Sequence, residues 1–455
     1  MRAPEASPGT GLRCALLVLG ALALGAVGPS SAPAQEDEGV RVGIEYQTGY
    51  VPGMAVTRTS GRPALEDVAA RVDSILRRDL EYSDRFDMLA VPDSLGSGVG
   101  VNYGLWNELG AVWLVSASVT GTPQSPRVRV SLHDITYSRL EEVQSFELPS
   151  PGARGFRMAV HQASDAVVRW ATGEPGMAAT RIAFRRETEQ GVSELYTIGS
   201  DGRNLRRITS DSSIVYSPAF SPDGSELMYV SYRNGRPAVY IEDLASGESQ
   251  LLETGQDFNI TPTYAPGGDR IMLGQSVGDH TEIFEYELGP LCCRRQITSG
   301  GPGDALNPAY SPDGERIAFT ANRVGQPQVY VKDIASGSAD IVSRYVYGEE
   351  GYATSPDWSP TGDRIVYHAR VNGVFQIHTV APDGSNRRVL TSRGENEDPA
   401  WAPDGRHVVF ASDRGGYRAL WILDTVSGRS RRLTVNRVDQ MPEWSGSIVP
   451  SVSGR

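Results

Sequence analysis

Gly274-Gln275-Ser276-Val277-Gly278 has the G-x-S-x-G spacing of an acyl-transfer nucleophile. That chemistry needs a sharp strand-to-helix elbow that lifts the serine hydroxyl toward a histidine base. Aligned on the chain's internal repeat, Ser276 falls where Tyr232-Arg233-Asn234-Gly235 stands, in a turn between two strands, so no catalytic serine is expected. Asp223, Asp313 and Asp404 offer carboxyl groups for acid chemistry, but they recur once per repeat and belong to turns. The six histidines (His133, His161, His280, His368, His378, His407) show no zinc-like spacing. Walker, G-x-G-x-x-G, H-E-x-x-H and calcium-loop patterns are absent, and Gly96-Ser97-Gly98-Val99-Gly100 lacks the helix-opening lysine of a phosphate cradle. Cys292 and Cys293 read as two thiols at a hairpin turn or as a vicinal disulfide. No catalytic, cofactor-binding or metal-ligating residue is expected.

The element that positions everything else is a repeat. Ser217-Pro218-Ala219-Phe220-Ser221-Pro222-Asp223-Gly224 returns as Thr261-Pro262-Thr263-Tyr264-Ala265-Pro266-Gly267-Gly268 and Asn307-Pro308-Ala309-Tyr310-Ser311-Pro312-Asp313-Gly314. It continues as Ser355-Pro356-Asp357-Trp358-Ser359-Pro360-Thr361-Gly362, Asp398-Pro399-Ala400-Trp401-Ala402-Pro403-Asp404-Gly405 and the truncated Met441-Pro442-Glu443-Trp444-Ser445-Gly446. The leading prolines are 44, 46, 48, 43 and 43 residues apart, a period that suits four strands per propeller blade. Pro-Asp-Gly fixes a tight turn, and alternations such as Arg316-Ile317-Ala318-Phe319 give the following strand one buried face. The aromatics at 220, 264, 310, 358, 401 and 444 are expected in the core between blades. The last repeat stops after its first strand, whereas residues 181–209 supply three strands without a Pro-Asp-Gly lead. Together they are expected to complete a sixth blade, closing the ring without an exposed edge.

Residues 1–34 read as a cleaved export signal: Arg2 and Arg13 before the apolar run from Cys14 to Val27, then Ala32-Pro33-Ala34. No later stretch reaches the ~20 apolar residues of a membrane span. Residues 35–172 are expected to form a small α/β domain with a mixed sheet, and residues 173–455 the propeller. Short strands are placed at Arg41–Ile44 and Met54–Val56, and a helix on the spacing of Leu65, Val68, Val72, Ile75, Leu76 and Leu80. Further strands follow at 111–119 and around Val128, Val130 and Leu132, then a helix over about 154–171. The fold class is thus multidomain, α/β followed by all-β.

The 455 residues carry a net charge of −12 with Lys332 as the only lysine, which excludes a duplex phosphate backbone as partner. What remains for function is the loop before each repeated proline, where one blade crosses to the next. These crossings gather at the channel mouth and are polar and dissimilar: Tyr216, Asn259, Thr261, Asn307, Thr354, Ser355, Glu397, Asp398 and Gln440. Dissimilarity at equivalent positions reads as a specific binding face, or as unspecialised solvated loops, which also vary. The charged segment Gln35, Glu36, Asp37 and Glu38 is a second candidate, able to order on a partner.

The domain order and its landmarks resemble the TolB family, periplasmic propellers of the Tol-Pal system. The similarity rests on Glu66-Asp67-Val68, Leu76-Arg77-Arg78-Asp79-Leu80 and Phe86, then Trp106-Asn107-Glu108-Leu109-Gly110-Ala111, His161-Gln162-Ala163-Ser164-Asp165-Ala166-Val167 and Thr180-Arg181-Ile182-Ala183-Phe184, beside the S-P-D-G blades. It implies a non-enzymatic periplasmic scaffold that binds the lipoprotein Pal at the channel mouth and TolA through the mature N-terminus. That role supports outer-membrane invagination at division and outer-membrane integrity, with the protein peripheral to the outer membrane through Pal. The alternatives are a secreted propeller hydrolase or peptidase accessory domain, and a small-molecule-binding propeller. A peptidase needs a hydrolase domain of ~200 or more residues, whereas eleven residues follow Trp444.

Overall fold

The computed structural model describes residues 50–91, 95, 100–289, 291–301, 303–344, 351–435 and 437–448. The expected export signal and the strand at Arg41–Ile44 lie outside the described residues. No helix among the described residues is long and apolar enough to cross a membrane.

The N-terminal portion runs β1 (Gly53–Val56), β2 (Ser60–Gly61), α1 (Glu66–Tyr82), β3 (Asp87–Met88), α2 (Tyr103–Glu108), β4 (Trp113–Gly121), β5 (Pro126–Asp134), β6 (Arg139–Glu147) and α3 (Phe156–Thr172). The sheet order is β3-β1-β4-β5-β6, with β2 beside β4. β1 pairs in parallel with β3 and β4, while β4, β5 and β6 run antiparallel, so the sheet is mixed. The helical spacing of Val68, Val72, Ile75 and Leu76 and the alternation of Val128, Val130 and Leu132 bury one common core, shared with Phe156, Val160 and Val167 of α3. β6 was not anticipated. Its sequence RLEEVQSFE has no apolar alternation because almost every residue is solvated on this charged edge strand.

Six four-stranded antiparallel sheets follow. The innermost strands are Val215–Phe220, Asn259–Tyr264, Ala305–Tyr310, Ala353–Trp358, Asn396–Trp401 and Asp439–Trp444. The last of these joins Arg181–Glu189, Val192–Gly199 and Arg206–Arg207 in blade six, with Trp444 opposite Ile182. Each inner-strand aromatic packs into a cluster with residues of the preceding blade, as Tyr264 does with Met228 and Trp358 with Ala318. In the Pro-Asp-Gly turns Asp223 Oδ1 accepts Ser225 N–H at 3.0 Å and Asp313 Oδ1 accepts Glu315 N–H at 3.0 Å, which is the local reason an aspartate recurs there.

Asp404 does more than its repeat mates. It accepts Arg406 N–H and holds His407 Nδ1 at 2.6 Å, while His407 Nε2 faces Asp84 Oδ2 at 3.3 Å from the turn after α1. Burial alone would lower His407, but the charge and hydrogen bond of Asp404, and Asp84 behind it, leave it above its ordinary value. Arg406 also donates to Asp84 O at 2.6 Å, and Asp165 of α3 accepts the N–H groups of Ala178 and Ala179, both at 2.8 Å. The turn after α1 and helix α3 are therefore tied by polar contacts to the propeller and to the segment that leads into it.

Ser276 lies inside the strand Arg270–Val277, opposite Thr281, rather than in the turn, because this hairpin runs longer than its neighbours. It is not on a strand-to-helix elbow. Cys292 and Cys293 are joined as a vicinal disulfide at the start of an outer strand.

Candidate functional site

The inner strands encircle a central cavity of about 160 Å³. Each contributes the residues around its repeated proline, and each bends there. The pairing register shifts between Tyr216 and Ala219, Ile260 and Thr263, Leu306 and Ala309, Thr354 and Asp357, Glu397 and Ala400, and Gln440 and Glu443. The residue before each proline sits in the left-handed region: Ser217 at φ 50°, Thr261 at 47°, Asn307 at 51°, Ser355 at 53°, Asp398 at 51° and Met441 at 49°. None is glycine, so all six positions carry a side chain at a conformational cost. Backbone in this state is held only where its surroundings over-determine it, and such strain collects at binding sites.

The neighbouring blades provide that hold. Asn307 N–H donates to Thr261 Oγ1 at 3.3 Å, Ser355 N–H to Thr320 Oγ1 at 3.2 Å and Asp398 N–H to His368 Nδ1 at 3.0 Å. For His368 to accept, its Nδ1 must be unprotonated, and burial pushes its pKa down to about 4, which keeps the ring neutral. These contacts fix the rim at Asn307, Ser355 and Asp398.

Of the residues singled out from sequence, Thr261, Asn307, Ser355 and Asp398 line the cavity together. They belong to the inner strands themselves, not to the crossing loops. Tyr216, Thr354, Glu397 and Gln440 stand one residue earlier, outside the cavity lining. There Glu397 takes a two-pronged ion pair from Arg418 at 2.9 Å on each oxygen, and Gln440 accepts from Arg185 at 2.7 Å. Asn259 is buried, its amide oxygen accepting from Gln275 at 2.7 Å and Thr254 at 2.8 Å, so it supports the strand. Gln35, Glu36, Asp37 and Glu38 lie outside the described residues.

Ser217, Met441, Thr263, Asp357 and Glu443 also line the cavity and were not singled out. The signal was available: Asp357 and Glu443 follow the repeated proline where Ala219, Ala309 and Ala400 stand. With Asp398 they make the wall from blades four to six acidic, while Ser217, Thr261, Thr263 and Asn307 leave the opposite wall uncharged. Burial raises Asp357 to about 6 against the N–H bonds of Trp401 and Trp358. Burial and then the charge of Asp357 raise Glu443 well above its ordinary value. Asp398 is raised by burial despite the Met441 amide and Arg418.

The family model of the TolB beta propeller domain matches residues 168–448, and that of the TolB amino-terminal domain matches residues 41–140. The chain belongs to the TolB family. It is 32% identical over 385 residues to the protein TolB homolog of Chlorobium luteolum, covering 83% of this chain and 86% of that one. It is 28% identical over 318 residues to the Tol-Pal system protein TolB of Bordetella pertussis, covering 68% of each. The crystal structure of TolB from Acinetobacter baumannii shares the TolB fold, with a TM-score of 0.73 at 23% identity over 87% of this chain and 97% of that one.

Proposed function

We propose that the protein is a non-enzymatic periplasmic scaffold of the Tol-Pal system. Its channel mouth binds the peptidoglycan-associated lipoprotein Pal, and the segment around Gln35, Glu36, Asp37 and Glu38 binds TolA. By holding both it supports outer-membrane invagination during division and the integrity of the outer membrane. The observation that carries this reading is the ring of six left-handed residues before the repeated prolines, all at φ 47–53° and carrying five different side-chain types. A rim already held in place binds a folded partner with little ordering cost, and its one acidic wall sets the orientation of that partner. Kinship with a Tol-Pal system protein supports the choice of system.

The test is co-purification of Pal from envelope extract with the mature chain, beside Asn307→Asp and Asp398→Lys variants whose folding is checked by thermal scan. Pal retained by the wild type and lost from folded variants supports the reading. Pal absent from the wild type, or retained equally by both variants, overturns it. Loss of TolA capture on replacing residues 35–38 with Gly-Ser tests the second contact.

A further inference from the structure

A second cleft, of about 330 Å³, opens where the start of α3 meets blade six. Three guanidinium groups line it: Arg154 before α3, Arg181 at the head of the inner hairpin and Arg206 on the outer strand. In a chain of net charge −12 this convergence is unusual, and none of the three has a carboxylate within 4.0 Å among the described residues. Arg206 donates to a neutral acceptor, Leu244 O, at 2.7 Å. Burial and then the charge of Arg206 hold Arg181 below its ordinary value, the signature of a cation lacking its counterion.

The surrounding acids are already engaged. Asp79 is taken by His161 at 2.7 Å and Ser164 at 2.6 Å, and Asp201 by Arg157 and, at 3.9 Å, Arg78. Glu242 feels Arg206 through space without forming an ion pair. His161 also lines the cleft. Burial would lower its pKa, but Asp79 outweighs that and raises it, so any charge it carries is already matched by Asp79. The first turn of α3 has no capping side chain and no acidic residue, so its end of the helix dipole adds to the positive charge of the three arginines. Apolar groups complete the wall: Met158, Ile198 and Leu205, the last 49% exposed at the rim.

We propose that this cleft binds a small anionic amphiphile, its carboxylate or phosphate head among Arg154, Arg181 and Arg206 and its short chain on Met158, Ile198 and Leu205. Bidentate oxyanion recognition is what guanidinium groups do best, and the apolar wall gives a reason for a chain behind the head. At about 330 Å³ the cleft is at the small end of the range of ligand pockets, with room for a head group and a short chain. The inference is independent of the partner assigned to the channel.

Calorimetric titration of the mature chain in low salt tests it, with octanoate, octyl phosphate, inorganic phosphate and octyl glucoside below their micellar concentrations. Saturable one-to-one binding of an anionic octyl probe is expected, with inorganic phosphate and octyl glucoside each about tenfold weaker or more. Octanoate and octyl phosphate together distinguish a carboxylate from a phosphate head. Arg181→Gln with Arg206→Gln should weaken binding about tenfold or more. Leu205→Glu, at the exposed rim where folding is not at stake, should do the same. Absence of saturable binding by both anionic probes, equal binding of phosphate or octyl glucoside, or binding unchanged in these variants would overturn it.

Discussion

Trp444 donates its indole N–H to Thr180 Oγ1 at 2.8 Å and lies opposite Ile182, joining the end of the described chain to the first strand of the propeller. Its ring is buried among Ile182, Ala400 and Val409, so it serves both the sixth blade and the fifth. Trp444→Ala should therefore cost ~3–5 kcal/mol, as for a large aromatic removed from a packed core. Deleting residues 440–455 should lower the thermal transition further. A calorimetric scan with an unchanged transition in either variant would show that the ring does not depend on this strand.

The same strand is held by charge. Arg186 and Asp439 form a buried two-pronged pair, at 2.6 Å from Nε and 2.8 Å from the terminal nitrogen, with the guanidinium lying over Tyr196 at 4.8 Å. Asp439→Ala leaves that guanidinium buried and unpaired and should cost ~3–5 kcal/mol. Replacing both residues with apolar ones, Arg186→Met with Asp439→Leu, should cost much less. Urea unfolding of Arg186→Met, Asp439→Leu and the double measures the coupling, and additive losses would refute it.

The channel carboxyls give the protein a pH dependence of definite sign. Asp357, raised by burial to about 6 from 3.8, and Glu443, raised by burial and the charge of Asp357 well above its ordinary value, keep protons in the fold that the unfolded chain has released. A raised carboxyl contributes stability at low pH and loses it as pH climbs from about 4 through its folded value. His161 and His407, also raised, lose theirs in the same direction as they deprotonate. Glu443→Gln should thus match the wild type near pH 4 and exceed it in stability at pH 8. Parallel melting curves across that range would remove the carboxyl from the account.

The fold was legible because the repeat states it locally: a proline and glycine at each turn, an aromatic before it and an alternating strand after it. Thr261, Asn307, Ser355 and Asp398 were legible as members of one ring for the same reason. The acids at 357 and 443 are less legible, because the residue after the proline is alanine in three repeats and shows its place on the cavity only once the strand's bend is known. Polarity does not mean exposure at Asn259, whose buried amide oxygen accepts from Gln275 and Thr254. Contacts such as His407 with Asp84 join residues 323 apart in sequence and leave no local pattern to read.

The strain in the ring can be measured directly. Thr261 is β-branched and held at φ 47°, whereas the equivalent residue of the next blade is Asn307 at 51°. Asparagine tolerates the left-handed region through local hydrogen bonding, and a β-branched residue there is an outlier. Thr261→Asn should stabilise the fold by about 0.5–1 kcal/mol, less whatever is lost with the Thr261 Oγ1 contact to Asn307 N–H. Thr261→Gly should gain less, because glycine also adds freedom to the unfolded chain. Thr261→Val keeps the branching, loses the hydroxyl acceptor and should destabilise by about 1 kcal/mol. Urea midpoints in the order Asn, Gly, wild type, Val would locate the cost in the backbone. An Asn variant less stable than the wild type would mean that the threonine is there for its hydrogen bond instead.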